Sequence, residues 1–194
     1  DPRVLLWEAP AVAQAAMDTG VARKQIDIEE YRQQLAFRQG KGARVRHLIM
    51  NKAKSGGGKK RIVFAEGEET KVIRAAHRIK EEGIGTPILL GRPDVIEATI
   101  EDLSLPCCPE MFNPDDFARH EEYAKAYHDI RDRKGVTLAI ARKRVRDANI
   151  LGPMLVKMGD ADAFISGLTV EYPDVIRPAL RIHHTSKETT RAAG

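Results

Sequence analysis

The stretch that decides the fold is RIVFAEGEETKVIRAAHRIKEEGIGTPILLG, residues 61–91. Residues 61–65 and 86–90 within it are typical of short buried strands, and the second is stopped by Gly91. Between them, residues 70–82 carry apolar side chains at helical spacing. Continuous apolar strands separated by a helix of this length indicate a βαβ unit in a parallel sheet. The sequence therefore predicts an α/β fold: a parallel sheet with helices on both faces.

The second informative stretch is Asn149 to Thr185, NILGPMLVKMGDADAFISGLTVEYPDVIRPALRIHHT. We predict a helix, a short buried strand ending at Ser166-Gly167, a loop, and a helix opened by Asp174 that carries Arg177-Pro178. A strand end followed by a helix start with an arginine in its first turn can receive an anion. This corner is the candidate binding site.

Between these stretches the pattern predicts more helices. One runs from Pro93 to Thr99, and another opens at Asn113-Pro114 and continues to Lys134, where Gly135 ends it. Thr137 caps a further helix whose arginines and lysine are interleaved with apolar residues, so we interpret them as a solvated face. Cys107 and Cys108 are interpreted as packing residues in a loop or short strand rather than catalytic groups.

The bulk composition excludes several classes of partner. Hydrophobic residues make up 42% of the chain and charged residues 31%, which is enough for a core and a solvated surface. Aromatic residues are only 5%, and the net charge is a mild +4, so we expect no nucleic-acid partner. No apolar run approaches the roughly 18 residues that span a bilayer, so no membrane partner is expected. Two adjacent cysteines fit a reducing compartment, and we expect a cytoplasmic protein.

The first sixty residues have a different character. Apolar residues 4–7 precede Pro10, which suits the first turn of a helix that stops at Gly20. Residues 26–54 predict a second helix with a weak point at Gly40-Lys41-Gly42. Its apolar stripe comprises Ile28, Tyr31, Leu35, Val45, Leu48 and Ile49. It is either a connecting helix on a domain surface or a helix that docks a partner subunit.

The glycines of residues 55–60 (SGGGKK) do not form a P-loop, because they precede a strand and no Ser or Thr follows the lysine. They indicate a hinge and a domain boundary. Both ends of the chain look unfinished, so we expect a segment of a longer protein.

No metal site or catalytic constellation is predicted. The six histidines lack metal-ligand spacing, and His183 and His184 are adjacent, so on a helix they point about 100° apart. Asp160 and Asp162 flank Ala161, where turn chemistry is the better interpretation of two carboxylates.

Three ordered segments resemble the phosphate acetyltransferase and butyryltransferase family. They are residues 61–91, quoted above, YAKAYHDIRDRKGVTLAIAR at 123–142, and MLVKMGDADAFISGLTVEYPDVIRPALRIHHT at 154–185. Residues 1–27 (DPRVLLWEAPAVAQAAMDTGVARKQID) resemble instead the last strand and helix of the nicotinamide-binding domain of bacterial malic enzymes. The two pieces occur joined in the hybrid, multimodular NADP-dependent malic enzymes.

The resemblance implies three parts of the chain. Residues 1–26 would end the NAD(P)-binding domain, residues 27–58 would form a linker helix and glycine-rich hinge, and residues 59–194 would begin an acyltransferase-like domain. That domain would have a phosphotransacetylase-like (isocitrate/isopropylmalate dehydrogenase-like) fold, incomplete here and preceded by the linker helix. NADP and a divalent metal (Mg or Mn) would be bound upstream of Asp1, as would malate.

The resemblance also implies ligand-binding residues. In active members, the arginines at the positions of Arg131 and Arg177 line a cleft where acetyl phosphate and coenzyme A meet, and an arginine fork suits a phosphate. The full set of candidate residues for acyl-CoA or phosphate is Arg131, Ser166, Gly167, Asp174 and Arg177. The family's catalytic serine, arginine and aspartate lie in its later half, so no catalytic residue is assigned here.

The chain departs from the family's pattern in one loop. Where active members carry small residues, it has Leu168-Thr169-Val170-Glu171-Tyr172-Pro173, and Glu171 would repel a phosphate if it faced the cleft. Three interpretations stay open: a regulatory module that binds acetyl-CoA, an active phosphate acetyltransferase, or a module that only makes homo-oligomers.

Overall fold

The computed structural model describes residues 2–38, 41–56, 59–106 and 109–185. The chain divides into two compact units, Asp1–Ser55 and Gly56–Gly194. In the described ranges no helix is both long and apolar enough to cross a membrane. Cys107 and Cys108 lie outside the described residues. The assignment of residues 1–26, 27–58 and 59–194 to parts of a larger enzyme stays a prediction.

The described residues of the first unit form three helices: α1 (Pro2–Asp18), α2 (Ile28–Arg38) and α3 (Lys41–Ser55). The expected start of a helix at Pro10 was wrong, because α1 begins at Pro2 and Pro10 lies inside it. Proline removes one backbone hydrogen bond from a helix interior. The ring of Pro10 is buried, so packing offsets part of that loss.

The apolar stripe predicted for residues 26–54 is buried only in its first half. Leu35 of α2 is 3% exposed, with Ile28 and Tyr31 half-buried on the same helix. Three members on α3 are exposed: Val45, Leu48 and Ile49. Helical spacing predicts which residues share a face, but it does not show whether that face is covered.

The second unit is built on a four-stranded sheet of parallel strands in the order β3-β2-β1-β4. Its strands are β1 (Arg61–Phe64), β2 (Thr86–Leu90), β3 (Glu110–Phe112) and β4 (Ala163–Ile165). Its helices are α4 (Thr70–Glu81), α5 (Pro93–Asp102), α6 (His120–Arg131), α7 (Leu138–Arg144), α8 (Ala148–Met158) and α9 (Tyr172–His183). The predicted α/β class is confirmed.

Alternate strand residues enter two different cores. Val63, Ile88 and Leu90 pack with side chains of α6 to α9, whereas Phe64 and Leu89 pack with side chains of α4 and α5. Successive side chains of a strand point to opposite faces of the sheet. The sheet is therefore covered on both faces, as the continuous apolar strands predict.

Two expectations from the sequence need correction, and one strand was not predicted. The strand β3 was not foreseen, because only three residues form it. The helix expected from Asn113 to Lys134 is broken: Asn113 caps a 3₁₀ turn over Pro114–Asp116, and α6 begins at His120. The last strand is not buried, since Ile165 is 48% exposed. Among the described strands β4 pairs only with β1, so it forms an edge.

Candidate functional site

The carboxyl ends of the four parallel strands meet at one edge of the sheet. A cleft of about 360 Å³ opens there. It is lined by residues that directly follow β1, β2 and β3, by the start of α8, and by the loop after β4: Ala65, Glu66, Gly67, Glu68, Glu69, Leu90, Gly91, Arg92, Asn113, Pro114, Asp115, Arg146, Ala148 and Thr169. Ligands of open α/β sheets bind at this edge. The cleft is thus the candidate site of the second unit.

The most prominent contact at this edge joins the loop after β1 to the loop after β4. The Glu66 carboxylate accepts hydrogen bonds from the backbone N–H groups of residues 167–170. Oε2 lies 3.0 Å from the nitrogens of Gly167 and Leu168, and Oε1 lies 2.5 Å from that of Thr169 and 3.3 Å from that of Val170. The Thr169 hydroxyl donates to Oε1 at 2.9 Å. We call residues 167–170 the amide nest.

The amide nest is an anion site in physical terms. Consecutive backbone N–H groups that converge on one point form a concave site for negative charge. Gly167 adopts φ +110°, a backbone conformation that side-chain-bearing residues rarely take. Burial acts to raise the pKa of Glu66, but hydrogen bonds from Thr169, Leu168 and Gly167 outweigh it and lower the pKa overall. Glu66 is therefore ionised at neutral pH while it occupies the amide nest.

A second carboxylate fixes the neighbouring strand ends. Glu68 accepts from the Arg92 backbone N–H at 2.9 Å, and its two oxygens pair with the Arg92 guanidinium at 3.0 Å. These contacts with Arg92 lower the pKa of Glu68. Arg146 also lines the cleft and is exposed, and the contacts of the described residues give it no ion pair. The cleft thus contains the Glu68–Arg92 ion pair and one further arginine that has no ion pair among the described contacts.

The structure places the predicted ligand residues in different surroundings. The Ser166 hydroxyl donates to the Asn149 side-chain oxygen at 2.7 Å, and Gly167 belongs to the amide nest. Asp174 is exposed in the first turn of α9, which begins at Tyr172 rather than at Asp174 as expected. Of the loop that departs from the family's pattern, Thr169 lines the cleft, while Glu171 is exposed at the N-cap of α9.

The two predicted arginines lie outside the set of residues that line the cleft. Arg131 ends α6, and its Nε is buried without a hydrogen-bond partner in the described structure. Arg177 is exposed on α9. Ser166 and Gly167 are consecutive residues at the end of β4, and the described contacts include none between them and either arginine. The role of all five residues in ligand binding stays a prediction.

The aspartates considered for a metal site have structural partners. Asp160 accepts from the Tyr123 hydroxyl and from Arg119 Nη1, the latter at 2.8 Å. Asp162 accepts from the Arg61 backbone N–H at 2.8 Å and from Lys60 Nζ at 2.6 Å. Within the described ranges, no group of three or more His, Cys, Asp or Glu residues could hold a metal ion.

Sequence reasoning missed Glu66, Arg92 and Arg146 as residues of the site. A usable signal existed for the first two, because each follows the end of a predicted strand and so lies at the binding edge of a parallel sheet. Nothing local in the sequence pairs Glu66 with residues 167–170, about a hundred positions later.

Comparison with known proteins gives the family. The sequence profile described as "Phosphate acetyl/butaryl transferase" matches residues 44–194. The chain belongs to the phosphate acetyl/butaryl transferase family.

Two curated malic enzymes are similar to this family member over most of its length. The chain is 39% identical to the NADP-dependent malic enzyme of Haemophilus influenzae over 178 residues, which is 89% of this chain and 23% of that protein. It is 37% identical to the NAD-dependent malic enzyme of Rhizobium meliloti, covering 94% of this chain and 24% of that protein. The chain therefore spans about a quarter of the length of these relatives.

Phosphotransacetylases are also similar over most of this chain. The phosphate acetyltransferase of Thermoanaerobacterium thermosaccharolyticum is 36% identical over 138 residues, or 71% of this chain and 41% of that protein. A crystal structure of a phosphotransacetylase from Streptococcus pyogenes superposes with a TM-score of 0.69 at 34% identity, covering 75% of this chain and 45% of that one. The expected phosphotransacetylase-like fold is confirmed.

Proposed function

We propose that the unit built on the sheet is an acyl-CoA-binding, regulatory module of a malic-enzyme-type protein. The similarity to malic enzymes over most of this chain supports the type of parent protein. The observation that carries the regulatory assignment is the loop from Leu168 to Pro173, which stands where active members carry small residues, while Arg131 and Arg177 keep the family's arginine positions.

The cost of placing a phosphate beside Glu66 is large. Two unit charges 4 Å apart repel by about 4 kcal/mol at the effective dielectric constant typical near a protein surface. The nest donors are also already used by Glu66, so an incoming phosphate would gain no hydrogen bonds in return. Both effects oppose binding of a phosphate inside the amide nest.

Binding of a coenzyme A thioester is less affected, because its phosphates can be recognised away from the reacting carbonyl. Arg131 and Arg177 are the residues we assign to those phosphates. The Nε of Arg131 is buried and has no hydrogen-bond partner in the described structure. A hydrogen bond from this nitrogen to a ligand oxygen would therefore stabilise the complex. Arg177 is exposed and accessible.

For the whole protein we propose oxidative decarboxylation of malate to pyruvate with NADP and a divalent metal. Acetyl-CoA bound to the unit built on the sheet would change the rate of that reaction, and the protein would act as a homo-oligomer. No residue of this chain is assigned to NADP or to the metal. The partners are small molecules, with no nucleic acid or membrane among them.

The test is a titration of the full-length protein with acetyl-CoA, following malate-dependent formation of NADPH. We expect a saturable change in rate and a binding isotherm with the same midpoint. Free coenzyme A and acetate are the matched controls for the two halves of the ligand. An unchanged rate together with no heat of binding would refute the proposal.

The second candidate is an active phosphate acetyltransferase, and the similarity to phosphate acetyltransferases favours it. Thioester formation from acetyl phosphate and coenzyme A by the full-length protein decides between the two. A turnover within about a hundredfold of typical enzymes, whose median is about 10 per second, would replace the regulatory assignment. The third candidate is oligomerisation alone. It predicts that deletion of the residues after Gly58 lowers the number of subunits in the oligomer, determined from the mass in solution, while acetyl-CoA has no effect on the rate. An unchanged oligomer after the deletion would rule it out.

A further inference from the structure

We propose that Arg146 is a further specificity-determining residue of the candidate cleft, and that it binds a phosphate group of the coenzyme A thioester. This deepens the proposed function, on which it rests, by naming a ligand contact inside the cleft. Arg131 and Arg177, the two arginines assigned above, lie outside the lining of the cleft. A coenzyme A thioester carries a pyrophosphate and a separate 3′-phosphate, so one ligand presents phosphate groups to more than one arginine.

The charge of Arg146 is not used by a neighbouring side chain. Among the described residues that line the cleft, two are arginines. Arg92 is paired with both oxygens of Glu68 at 3.0 Å, whereas Arg146 is exposed and has no ion pair among the described contacts. A guanidinium presents its N–H donors in a fixed fork that matches the oxygens of a phosphate. The donors of Arg146 are therefore available to a ligand in the cleft.

The backbone is fixed on both sides of Arg146, which lies in the short connection between α7 and α8. Before it, Val145 is 0% exposed and donates its backbone N–H to Ala141 O at 3.0 Å. After it, Asp147 caps α8 by accepting from the Asn149 N–H at 2.8 Å. A ligand contact on a rigid backbone loses less conformational freedom on binding. The connection thus holds Arg146 at the cleft before a ligand arrives.

Two carboxylates of the cleft restrict where a phosphate lies. Glu69 and Asp115 line the cleft and are exposed, and the described contacts give neither of them an ion pair. At separations of a few ångströms, a phosphate is repelled by these carboxylates and attracted by the guanidinium of Arg146. The hydroxyl and amide N–H groups of coenzyme A suit the carboxylates instead, because ionised carboxylates only accept hydrogen bonds. The charges of the lining therefore place the phosphate at Arg146.

The experiment titrates the full-length protein calorimetrically with coenzyme A and with dephospho-coenzyme A, which lacks the 3′-phosphate. Arg146→Gln should bind coenzyme A about tenfold more weakly than the wild type, the size of a charge-assisted hydrogen bond. Arg146→Lys should lose less affinity, because it keeps the charge and loses only the fork. Arg74→Gln is the matched control, since Arg74 is exposed on α4 and does not line the cleft. Its affinity should stay within about threefold of the wild type, because salt screens distant exposed charges.

The two ligands identify which phosphate Arg146 contacts. If it contacts the 3′-phosphate, Arg146→Gln weakens binding of coenzyme A and leaves binding of dephospho-coenzyme A unchanged. If it contacts the pyrophosphate, the variant weakens binding of both ligands equally. Either result supports the proposal. In both cases the ratio of wild-type to variant affinity should fall as the salt concentration rises, because salt screens the attraction between exposed charges. A purely structural role of Arg146 would give a ratio that does not depend on salt.

The proposal is overturned if Arg146→Gln binds coenzyme A no more weakly than Arg74→Gln, or if the wild type binds neither ligand. It is also overturned if Arg146→Lys loses as much affinity as Arg146→Gln and neither loss depends on salt. Where Arg146→Gln does not fold, Arg146→Lys must still bind coenzyme A more weakly than Arg74→Gln. The regulatory assignment fails separately: binding that depends on Arg146, together with malate-dependent NADPH formation that ignores acetyl-CoA, would support the contact and refute regulation.

Discussion

The ring of Phe164 in β4 packs directly on the backbone of Gly152 in α8. A Cβ atom added at residue 152 would overlap this ring well inside van der Waals contact. Both neighbours of the glycine in the helix, Leu151 and Pro153, are buried, so the helix has little freedom to move away. Gly152 therefore fixes how closely α8 approaches the edge strand whose end opens into the amide nest.

Gly152→Ala should destabilise the second unit by about 1–3 kcal/mol, the usual cost of an overpacked site. Alanine would favour the helix by itself, so any loss of stability reports the clash. Chemical denaturation measures it. In the double variant with Phe164→Leu the smaller side chain should relieve the clash, and simple additivity of the two single changes would contradict the contact.

Gly67→Ala should destabilise more than Gly91→Ala, although both glycines line the same cleft. A Cβ at residue 67 would meet backbone atoms, with Leu90 O at 2.7 Å, whereas one at residue 91 would meet Cγ of the Glu68 side chain at 2.8 Å, which can move by giving up part of its pairing with Arg92. A backbone cannot yield as a side chain does, so we expect about 1–3 kcal/mol for the first. Equal unfolding free energies for the two variants would count against this geometry.

Tyr123→Phe should lower stability by roughly 1 kcal/mol at neutral pH, because Tyr123 is fully buried and donates its hydroxyl to Asp160. Burial acts to raise the pKa of Asp160, but hydrogen bonds from Tyr123 and Arg119 lower it overall. The stability that a lowered carboxyl pKa provides is present above the unfolded value of about 3.9 and is lost as pH falls through the folded value. The cost of Tyr123→Phe should thus shrink as the pH falls below about 3.9 and through the lower pKa of the folded carboxyl.

Tyr127→Phe is the matched control for that measurement. Tyr127 lies one turn later on α6 and is 2% exposed, and the described contacts give its hydroxyl no protein partner. Its removal should change the unfolding free energy little and without dependence on pH. A pH-dependent loss in Tyr127→Phe would assign the acid sensitivity elsewhere.

Arg131→Gln should weaken acetyl-CoA binding by at least about tenfold, since a charge-assisted hydrogen bond to a phosphate is lost. The matched control is Arg133→Gln, which removes the same charge two residues later from an exposed position. It should stay within about threefold of the wild type. Equal losses in the two variants would show a general effect of charge instead of a contact, and calorimetric titration distinguishes them.

Local sequence was sufficient wherever the deciding interactions are local. Apolar runs at 61–65 and 86–90 predicted β1 and β2, because a strand buried on both faces needs apolar side chains throughout. Thr137 and Gly135 predicted helix boundaries that the structure confirms: the Thr137 hydroxyl accepts from the Ile140 N–H at 3.3 Å, and Gly135 takes φ +76°. Pro10 is the exception: proline favours the first turn of a helix, but α1 begins at Pro2 and contains the buried Pro10 in its interior.

The sequence by itself determined the α/β class, most element positions and, through resemblance, the family. Only the tertiary structure decided the order β3-β2-β1-β4, the exposure of β4, and the pairing of Glu66 with residues 167–170. Those features depend on which distant segments meet, and side-chain spacing along the chain contains no information about that. Parallel strands with crossover helices bring positions about a hundred residues apart to one edge, where the Glu66 carboxylate meets the amide nest.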